Sequence, residues 1–211
     1  MVTRFRPFTL PKLEIAAAFV GVMMLSGCTG SSAEDFQANQ EAYRNGDYYA
    51  QCPSDPIGTA PALGVYARVQ RAEDDNAIRE LRFKYSRAFD AVVANPGNVD
   101  EILNLFADDL CVDYGVFGRF YNKNGLRYLF QYVIPAFNAW SFHVASQPSI
   151  NVNNGIGSGS WRGVVHAVAR ANYAAGPQPT FLRYNDRYQR TATGWKFRAI
   201  TVHFEAPPTG P

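Results

Sequence analysis

The chain has 211 residues, a formal net charge of +2 at pH 7 and a sequence pI of about 8.4. Apolar residues make up 47% and aromatic residues 14%, which suffices for a single domain with a packed core. Because the net charge is small and the sequence has no run of Lys or Arg, the composition argues against a nucleic-acid partner.

Residues 1–27 have the pattern of an export signal. Three cations precede an apolar run over residues 15–25 that is too short for a comfortable membrane-spanning helix. Residues 25–28, Leu-Ser-Gly-Cys, resemble the lipobox of bacterial lipoproteins, which implies cleavage before Cys28 and its lipidation. The residue after this Cys is Thr29 and not Asp, which resembles the lipoproteins that Gram-negative bacteria sort to the outer membrane. We therefore expect a lipid-anchored envelope protein facing the periplasm; an ordinary secretory signal and an uncleaved anchor are the alternatives.

Residues 28–69 are predicted to form a tether. Its first residues are small and polar, and proline and glycine recur between Cys52 and Pro61, which disfavours helices and strands there. In an oxidising periplasm Cys52 could pair with Cys111, which lies in a predicted strand, but two separate thiols are the preferred expectation. Because the sequence shows no Cys or His spacing typical of a metal site, we predict neither a metal nor a cofactor.

The folded domain is predicted over residues 70–205, with a short tail at 206–211. Its first helix covers residues 75–95, where apolar side chains recur at helical spacing. Asp90 lies between the apolar and the charged face of this helix. It is therefore either a semi-buried carboxylate or an edge residue that reaches water.

Two more helices and a short strand pair follow. Asn98 and Glu101 resemble a capping box for the second helix. The third helix is predicted from Gly125 to Ile134, with Asn124 as N-cap and Pro135 as its stop. The strand pair, Cys111–Tyr114 and Phe117–Tyr121, lies between these two helices.

The rest of the domain has the pattern of strands. They are predicted at Phe142–Val152, Ile156–Asn172, Phe181–Arg190 and Trp195–Phe204, with turn signals at 153–155 and 192–194. The glycines of the second of these strands predict a bend or bulge there. Since helices come first and antiparallel strands last, the order predicts an α+β fold.

Four phrases of the domain are similar to one protein family. AIRELRFKYSRAFDA, ILNLFADDLCVDYG, HVASQPSINV and YNDRYQRTATGWKF, in this order, resemble the SnoaL-like branch of the nuclear transport factor 2-like superfamily. The resemblance covers residues 74–204. It implies a cone in which three N-terminal helices pack inside a strongly curved antiparallel sheet around a pocket. Because members include cyclases, dehydratases and non-enzymatic binding domains, the fold does not name the activity.

The resemblance also implies a candidate site. Asp90 and His143 match the pair with which the eliminating members of the family remove a proton. Arg190 resembles the Arg that steadies a leaving group in a dehydrochlorinase of the family. Tyr85 lies on a helix turn where a polar side chain often lines the pocket. Trp161 occupies the position of the second His of scytalone dehydratase, which argues against scytalone-type chemistry.

The residues by themselves leave several of these assignments open. A carboxylate beside an imidazole would fix its tautomer and stabilise the imidazolium, so the Asp90–His143 pair suits proton abstraction. Alternation along the strand does not decide which way His143 faces, because Pro148 permits an irregularity. The other two histidines, His166 and His203, are weaker candidates.

Two further acids, Asp186 and Asp113, have open assignments. Asp186, Tyr188 and Arg190 share one face of a strand by period two. Semi-buried charges there need partners, so the choice is between an Asp–Arg lock between strands and a pocket in which Arg190 and Tyr188 meet the ligand. Asp113 is either a pocket acid or, preferably, a turn residue.

Three functions fit the sequence. The first is a cofactor-independent lyase, isomerase or cyclase that acts on a small, largely apolar substrate through His143 and Asp90. The second is a lipoprotein that binds a small ligand without chemistry. The third is an interaction module whose sheet face forms a homodimer or docks a partner. The sequence does not name a substrate.

Overall fold

The computed structural model describes residues 64–205 together with Cys52, Pro53 and Ile57, with Val116 defined by its backbone alone. The expected signal peptide, the lipidated Cys28, most of the tether and the C-terminal tail lie outside the described residues. Within the described part of the chain, no helix combines the length and the apolar character needed to cross a membrane.

The first helix, α1, spans Val65–Ala94 and is 30 residues long, so it begins ten residues before its predicted start. The predicted apolar stripe is the buried face, formed by Ile78, Leu81, Tyr85, Ala88 and Val92. The helix ends at Asn95, whose extended backbone suits a residue before proline. The next turn, Pro96–Asn98, is 3-10 helical.

Both predicted N-caps are wrong. The second helix, α2 (Val99–Leu103), receives no cap from the Asn98 side chain, because Asn98 belongs to the preceding turn and lacks the extended conformation of an N-cap. The third helix, α3 (Lys123–Tyr128), is capped by Asn122 rather than Asn124. The Asn122 side chain accepts a hydrogen bond from the Gly125 N–H at 2.9 Å.

The helical stretch also passes its predicted stop. After α3 a π-helical turn, Leu129–Val133, leads into α4, Ile134–Phe137. Pro135 lies in the first turn of α4, where its fixed φ is compatible with a helix although its missing N–H cannot donate to the preceding turn.

Six strands form one curved sheet in the order β2-β1-β6-β5-β4-β3. They are β1 (Phe106–Asp113), β2 (Arg119–Phe120), β3 (Asn138–Asn153), β4 (Ile156–Ala169), β5 (Gln178–Thr191) and β6 (Gly194–Glu205). Neighbouring strands are antiparallel except for the parallel pair β1–β6. The helices pack against the inner face of the sheet, which confirms the predicted α+β architecture.

The irregularity that the sequence permitted lies in β3. The register with β4 shifts between Ser146 and Ser149, where Gln147 has a φ of 49°. Before the shift, Ser141 is buried on the inner face and Phe142 is exposed on the outer face; beyond it, Val152 is buried. The shift therefore lets both halves of β3 bury their inner side chains.

The glycines of β4 do not form a bulge with β5; they leave space for aromatic rings. A Cβ atom on Gly163 would lie 2.4 Å from Cε2 of Tyr184, and one on Gly159 would lie 2.9 Å from the hydroxyl oxygen of Tyr188. The register between β4 and β5 is continuous through both positions. No bulge thus interrupts this pairing, and two tyrosines pack closely against the backbone of β4.

The expectation of two separate thiols is wrong, because Cys52 and Cys111 form a disulfide with a Cα–Cα distance of 5.4 Å. Cys111 lies on the outer face in a cross-strand row with Ala199, Arg187 and Ser158. At the other end of this row, the Ile57 N–H donates to Ser158 Oγ at 3.2 Å.

The two contacts define how the tether meets the domain. Cys52 is fixed to β1 and Ile57 to β4, three strand spacings apart in the sheet order, or about 14 Å. Cys52 and Ile57 therefore mark two points at which the tether contacts the outer face of the sheet.

Replacing both cysteines by serine is expected to lower the free energy of unfolding by about 2–4 kcal/mol, because the bond closes a loop of 59 residues in the unfolded chain. Urea denaturation followed by tryptophan fluorescence measures the change. Reductant should bring the wild type to the midpoint of the double variant and leave that variant unaffected. Equal midpoints for the oxidised wild type and the variant would contradict a stabilising bond.

Candidate active site

The second half of α1 brings the carboxylate of Asp90 against β3. Asp90 Oδ1 lies 2.6 Å from Nδ1 of His143 and accepts a hydrogen bond from Ser141 Oγ at 2.7 Å. Asp90 Oδ2 accepts from the backbone N–H of His143 at 2.9 Å. The structure thus brings together the two residues that the sequence paired, and it adds Ser141 as a third member.

The protonation of the pair follows from these bonds. Burial raises the pKa of Asp90, but the hydrogen bonds and charge of His143 and the hydrogen bond of Ser141 lower it by more. The pKa of Asp90 is therefore below its usual value. An ionised carboxylate only accepts hydrogen bonds, so Nδ1 of His143 carries a proton. In the neutral imidazole the lone pair is then on Nε2, which has no hydrogen-bond partner among the described residues.

Aromatic side chains shelter the pair. The side chain of His143 is only 8% exposed, and that of Asp90 is 22% exposed. The Phe89 ring lies 4.4 Å from the imidazole between centroids, and Phe130 meets Phe89 edge-on at 5.4 Å. A base in this position works in a largely apolar environment.

Three buried tyrosines adjoin this aromatic cluster: Tyr85 contacts Phe89, Tyr114 contacts Phe130, and Tyr184 shares the Arg82 guanidinium with Tyr85. The hydroxyl groups of Tyr85 and Tyr114 are 2.7 Å apart. Burial raises the pKa of both phenols, and it raises the pKa of Tyr184 to about 12, with the charge of Asp90 adding to the shift. All three therefore remain protonated near neutral pH and can act as hydrogen-bond donors.

A buried ion pair lies beyond the tyrosines. Nη1 of Arg82 is 3.4 Å from Oδ2 of Asp186, and the guanidinium carbon lies 3.6 Å from the centroid of the Tyr184 ring. Burial raises the pKa of Asp186, while the Arg82 charge and a hydrogen bond from Tyr188 oppose that rise. Arg82 Nε and Nη1 and Asp186 Oδ1 have no hydrogen-bond partner in the part of the chain that the structure describes.

Trp161 and Tyr188 belong to this buried network. Trp161 Nε1 donates to the Tyr188 hydroxyl at 2.9 Å, and that hydroxyl donates to Asp186 Oδ2 at 2.7 Å. Both side chains are almost fully buried. Their polar groups are thus engaged in holding Asp186 rather than directed at His143.

Arg190 lies far from the candidate base. Its Nη1 is 3.0 Å from Asp74 Oδ1, which also accepts a hydrogen bond from Trp195 Nε1 at 3.0 Å. Asp74 and Asp90 lie sixteen residues apart on α1, which is about 24 Å along an α-helix. Asp186 and Arg190 are each held in an Asp–Arg pair, but the partners, Arg82 and Asp74, lie on α1 and not on another strand. In its pair with Asp74, Arg190 is remote from any leaving group beside His143.

Asp113 ends β1 and stabilises the turn that follows, which agrees with the preferred of its two interpretations. It faces outward from β1, and its Oδ1 accepts from the Gly115 N–H at 2.9 Å. Arg119 Nη2 donates to its Oδ2 at 2.8 Å. His166 and His203 also face outward, which leaves His143 as the histidine on the inner face.

Sequence reasoning missed four residues of this region. Ser141 and Tyr184 have a detectable signal, because period two gives Ser141 the facing of His143 and gives Tyr184 the facing of Asp186 and Tyr188. Tyr114 and Arg82 give no comparable periodic signal. Tyr114 follows the end of a strand, and Arg82 lies beside the charged face of α1. Among the described residues, no group of three His, Cys, Asp or Glu side chains is arranged to hold a metal ion.

The sequence model of the SnoaL-like domain family matches residues 70–201. The chain belongs to this family. No curated protein sequence matches it significantly.

Solved structures of the nuclear transport factor 2-like superfamily resemble this SnoaL-like domain in fold. A Salmonella enterica serovar Typhimurium member of the superfamily is 17% identical, with a TM-score of 0.56 over 66% of this chain and 95% of its own. A protein of Novosphingobium aromaticivorans, provisionally designated an aromatic ring hydroxylase, is 23% identical, with a TM-score of 0.55 over 64% and 92%. A second protein of that organism, provisionally designated a scytalone dehydratase, is 17% identical, with a TM-score of 0.54 over 64% and 86%.

The buried ion pair of the SnoaL-like domain generates a stability prediction. Arg82→Met should lower the free energy of unfolding by about 3–5 kcal/mol, because it leaves the buried Asp186 without a cation. Arg82→Met combined with Asp186→Leu should recover most of that loss. Urea denaturation of the wild type, both single variants and the double variant measures the coupling. Additive losses would contradict an energetic link between the two side chains.

Proposed function

We propose that this SnoaL-like domain is a cofactor-independent lyase, isomerase or cyclase whose base is His143. One observation supports this proposal above the others. The ionised Asp90 holds the Nδ1 proton of His143, which leaves the Nε2 lone pair without a partner among the described residues. That is the arrangement in which an imidazole accepts a proton from a substrate.

The proposed step is a proton transfer from carbon to Nε2. The C–H bond lies next to a carbonyl or a similar electron-withdrawing group, and its electron pair moves into the adjacent bond. In a lyase that pair expels a leaving group; in an isomerase or cyclase it forms a new C–H or C–C bond elsewhere in the substrate. Asp90 stabilises the imidazolium that results, since its Oδ1 is 2.6 Å from Nδ1.

The surroundings of His143 suit a small, largely apolar substrate. Phe89 and Phe130 supply an aromatic wall on one side of the imidazole. The interior around Arg82 is occupied by large, fully buried side chains, among them Trp161 and Tyr188. Substrate space is therefore proposed at the His143 end of the cone, on the Nε2 side of the ring.

Two neighbours in fold carry provisional names of this reaction class. One is the Novosphingobium protein provisionally designated a scytalone dehydratase. The other is a Streptomyces avermitilis protein provisionally designated a dehydratase, with a TM-score of 0.56 at 9% identity. Likeness at this level concerns the fold alone, so it agrees with the proposal without identifying a substrate.

Non-catalytic binding of a small ligand is the second candidate. The position of Arg190 favours it, because the residue expected to steady a leaving group pairs with Asp74 at the other end of α1. In that case the Nε2 atom would serve as a hydrogen-bond acceptor for the ligand.

We further propose that the domain functions at the bacterial envelope through a lipid on Cys28. The residues that support this are the Leu-Ser-Gly-Cys of positions 25–28 after a short apolar run. Mass spectrometry of the N-terminal peptide from isolated membranes should show a diacylglyceryl group on Cys28. A peptide that retains residues before Cys28 would contradict the proposal.

The catalytic proposal is tested by deuterium exchange. Cyclic ketones with a β-hydroxyl group, and ligands extracted from the purified protein, are incubated with it in deuterated water. We expect water elimination or deuterium at the α-carbon, with His143→Gln slowing the reaction by about 10²–10⁴-fold because the general base is lost. Mass spectrometry and NMR measure the rates.

His166→Gln is the matched control, because it removes an imidazole from the outer face and should leave the rate unchanged. The melting temperatures of the two variants should be close to that of the wild type. If His143→Gln retains the wild-type rate, His143 is not the base. If a ligand co-purifies but nothing exchanges, the second candidate function is supported instead.

A further inference from the structure

The outer face of the sheet carries a contiguous apolar surface, here called the aromatic patch, which consists of Trp140, Phe142, Val144 and Phe181. These side chains are 45%, 52%, 42% and 44% exposed. The rings of Trp140 and Phe142 stack with centroids 6.3 Å apart and planes 10° apart. Val144 pairs with Val164, which pairs with Phe181, so the patch continues across β3, β4 and β5.

The charge around the aromatic patch is unbalanced. By their register, the outward positions of β3, β4 and β5 include Arg162, Arg183 and Arg187 and no acidic residue. The neighbouring strand β6 contributes Glu205, which lies 3.5 Å from Arg162 and 4.0 Å from Arg183. Two partly exposed guanidinium groups thus share a single carboxylate, and the face keeps a positive excess.

The tether joins the domain on this same face. The disulfide to Cys111 fixes Cys52 on the outer side of β1. Twenty-four residues separate Cys52 from the expected lipid anchor at Cys28, and such a chain spans at most about 80 Å. A chain that leaves from the outer face can bring that face to the membrane without passing around the domain.

We propose that the aromatic patch, flanked by Arg162 and Arg183, docks the domain on the surface of an anionic lipid bilayer. Aromatic rings partition into the region between head groups and acyl chains, and guanidinium groups bind lipid phosphates. A second copy fits this face less well. Two-fold symmetry would place the same positive surface on both sides of the interface, and facing like charges oppose association.

Trp140 is a natural reporter for this contact. It is the exposed one of the three tryptophans, because Trp161 and Trp195 are buried. The full-chain protein is reconstituted in vesicles of phosphatidylethanolamine and phosphatidylglycerol that contain brominated acyl chains. Docking predicts that the bromine quenches Trp140 emission, and that the quenching disappears in the Trp140→Phe variant.

Charge reversal separates docking from anchoring. Arg162→Glu with Arg183→Glu leaves Cys28 unchanged, so the protein stays with the vesicles if it is lipidated. Each Arg near an anionic surface strengthens association about fivefold. Because the double variant loses two such groups, it should dock at least about 25-fold more weakly, and bromine should quench its Trp140 emission only slightly. Arg127→Glu is the matched control, because Arg127 also belongs to an exposed ion pair but lies on α3.

Three results would overturn the proposal: no quenching of the wild type, equal quenching in the double charge variant, or a dimer that shields Trp140 from acrylamide in the absence of vesicles. The last result would assign the aromatic patch to a second copy. His143→Gln should be quenched like the wild type, so the outcome is independent of the proposed reaction.

Discussion

The carboxylate of Asp90 connects α1 to β3, and the candidate site depends on that connection. Both of its oxygens accept hydrogen bonds from β3, so one side chain holds the helix, the strand and the imidazole in a fixed relation. The connection requires Ser141 and His143 to face inward together. The register shift at Gln147 permits this, because it lets the far half of β3 bury Val152 at the same time. A local irregularity in one strand thus supports the geometry of the candidate site.

The same helix also carries charge into the core. Arg82 forms an ion pair with Asp186, and Asp74 forms one with Arg190, so β5 is joined to α1 at two further positions along the helix. A buried ion pair adds little net stability relative to apolar residues, but removing one partner is costly. Its main effect is therefore on specificity: the pairs fix which residues of β5 lie opposite α1. They also fill the interior away from His143, which limits where a ligand can bind.

The predictions succeeded where a residue's environment follows from its near neighbours. The apolar stripe of α1, the inward face of β5 and the hairpins were predicted from periodicity and turn residues. The pairing of Asp90 with His143 came from family resemblance, because no periodicity links positions 53 residues apart. The failures were of two kinds. Asn98 and Asn124 were misjudged because capping depends on backbone angles, and Arg190 was misjudged because several acids compete for one guanidinium.

The sequence by itself determined the order of helices and strands, the apolar faces that pack them and the membership of the SnoaL-like family, since these depend on short-range patterns and on matching phrases. Only the tertiary structure decided the facing of His143, the partners of Arg82 and Arg190, the disulfide between Cys52 and Cys111 and the exposed aromatic patch. Each of these depends on which distant segments become neighbours, and the facing of His143 depends also on the register shift in β3.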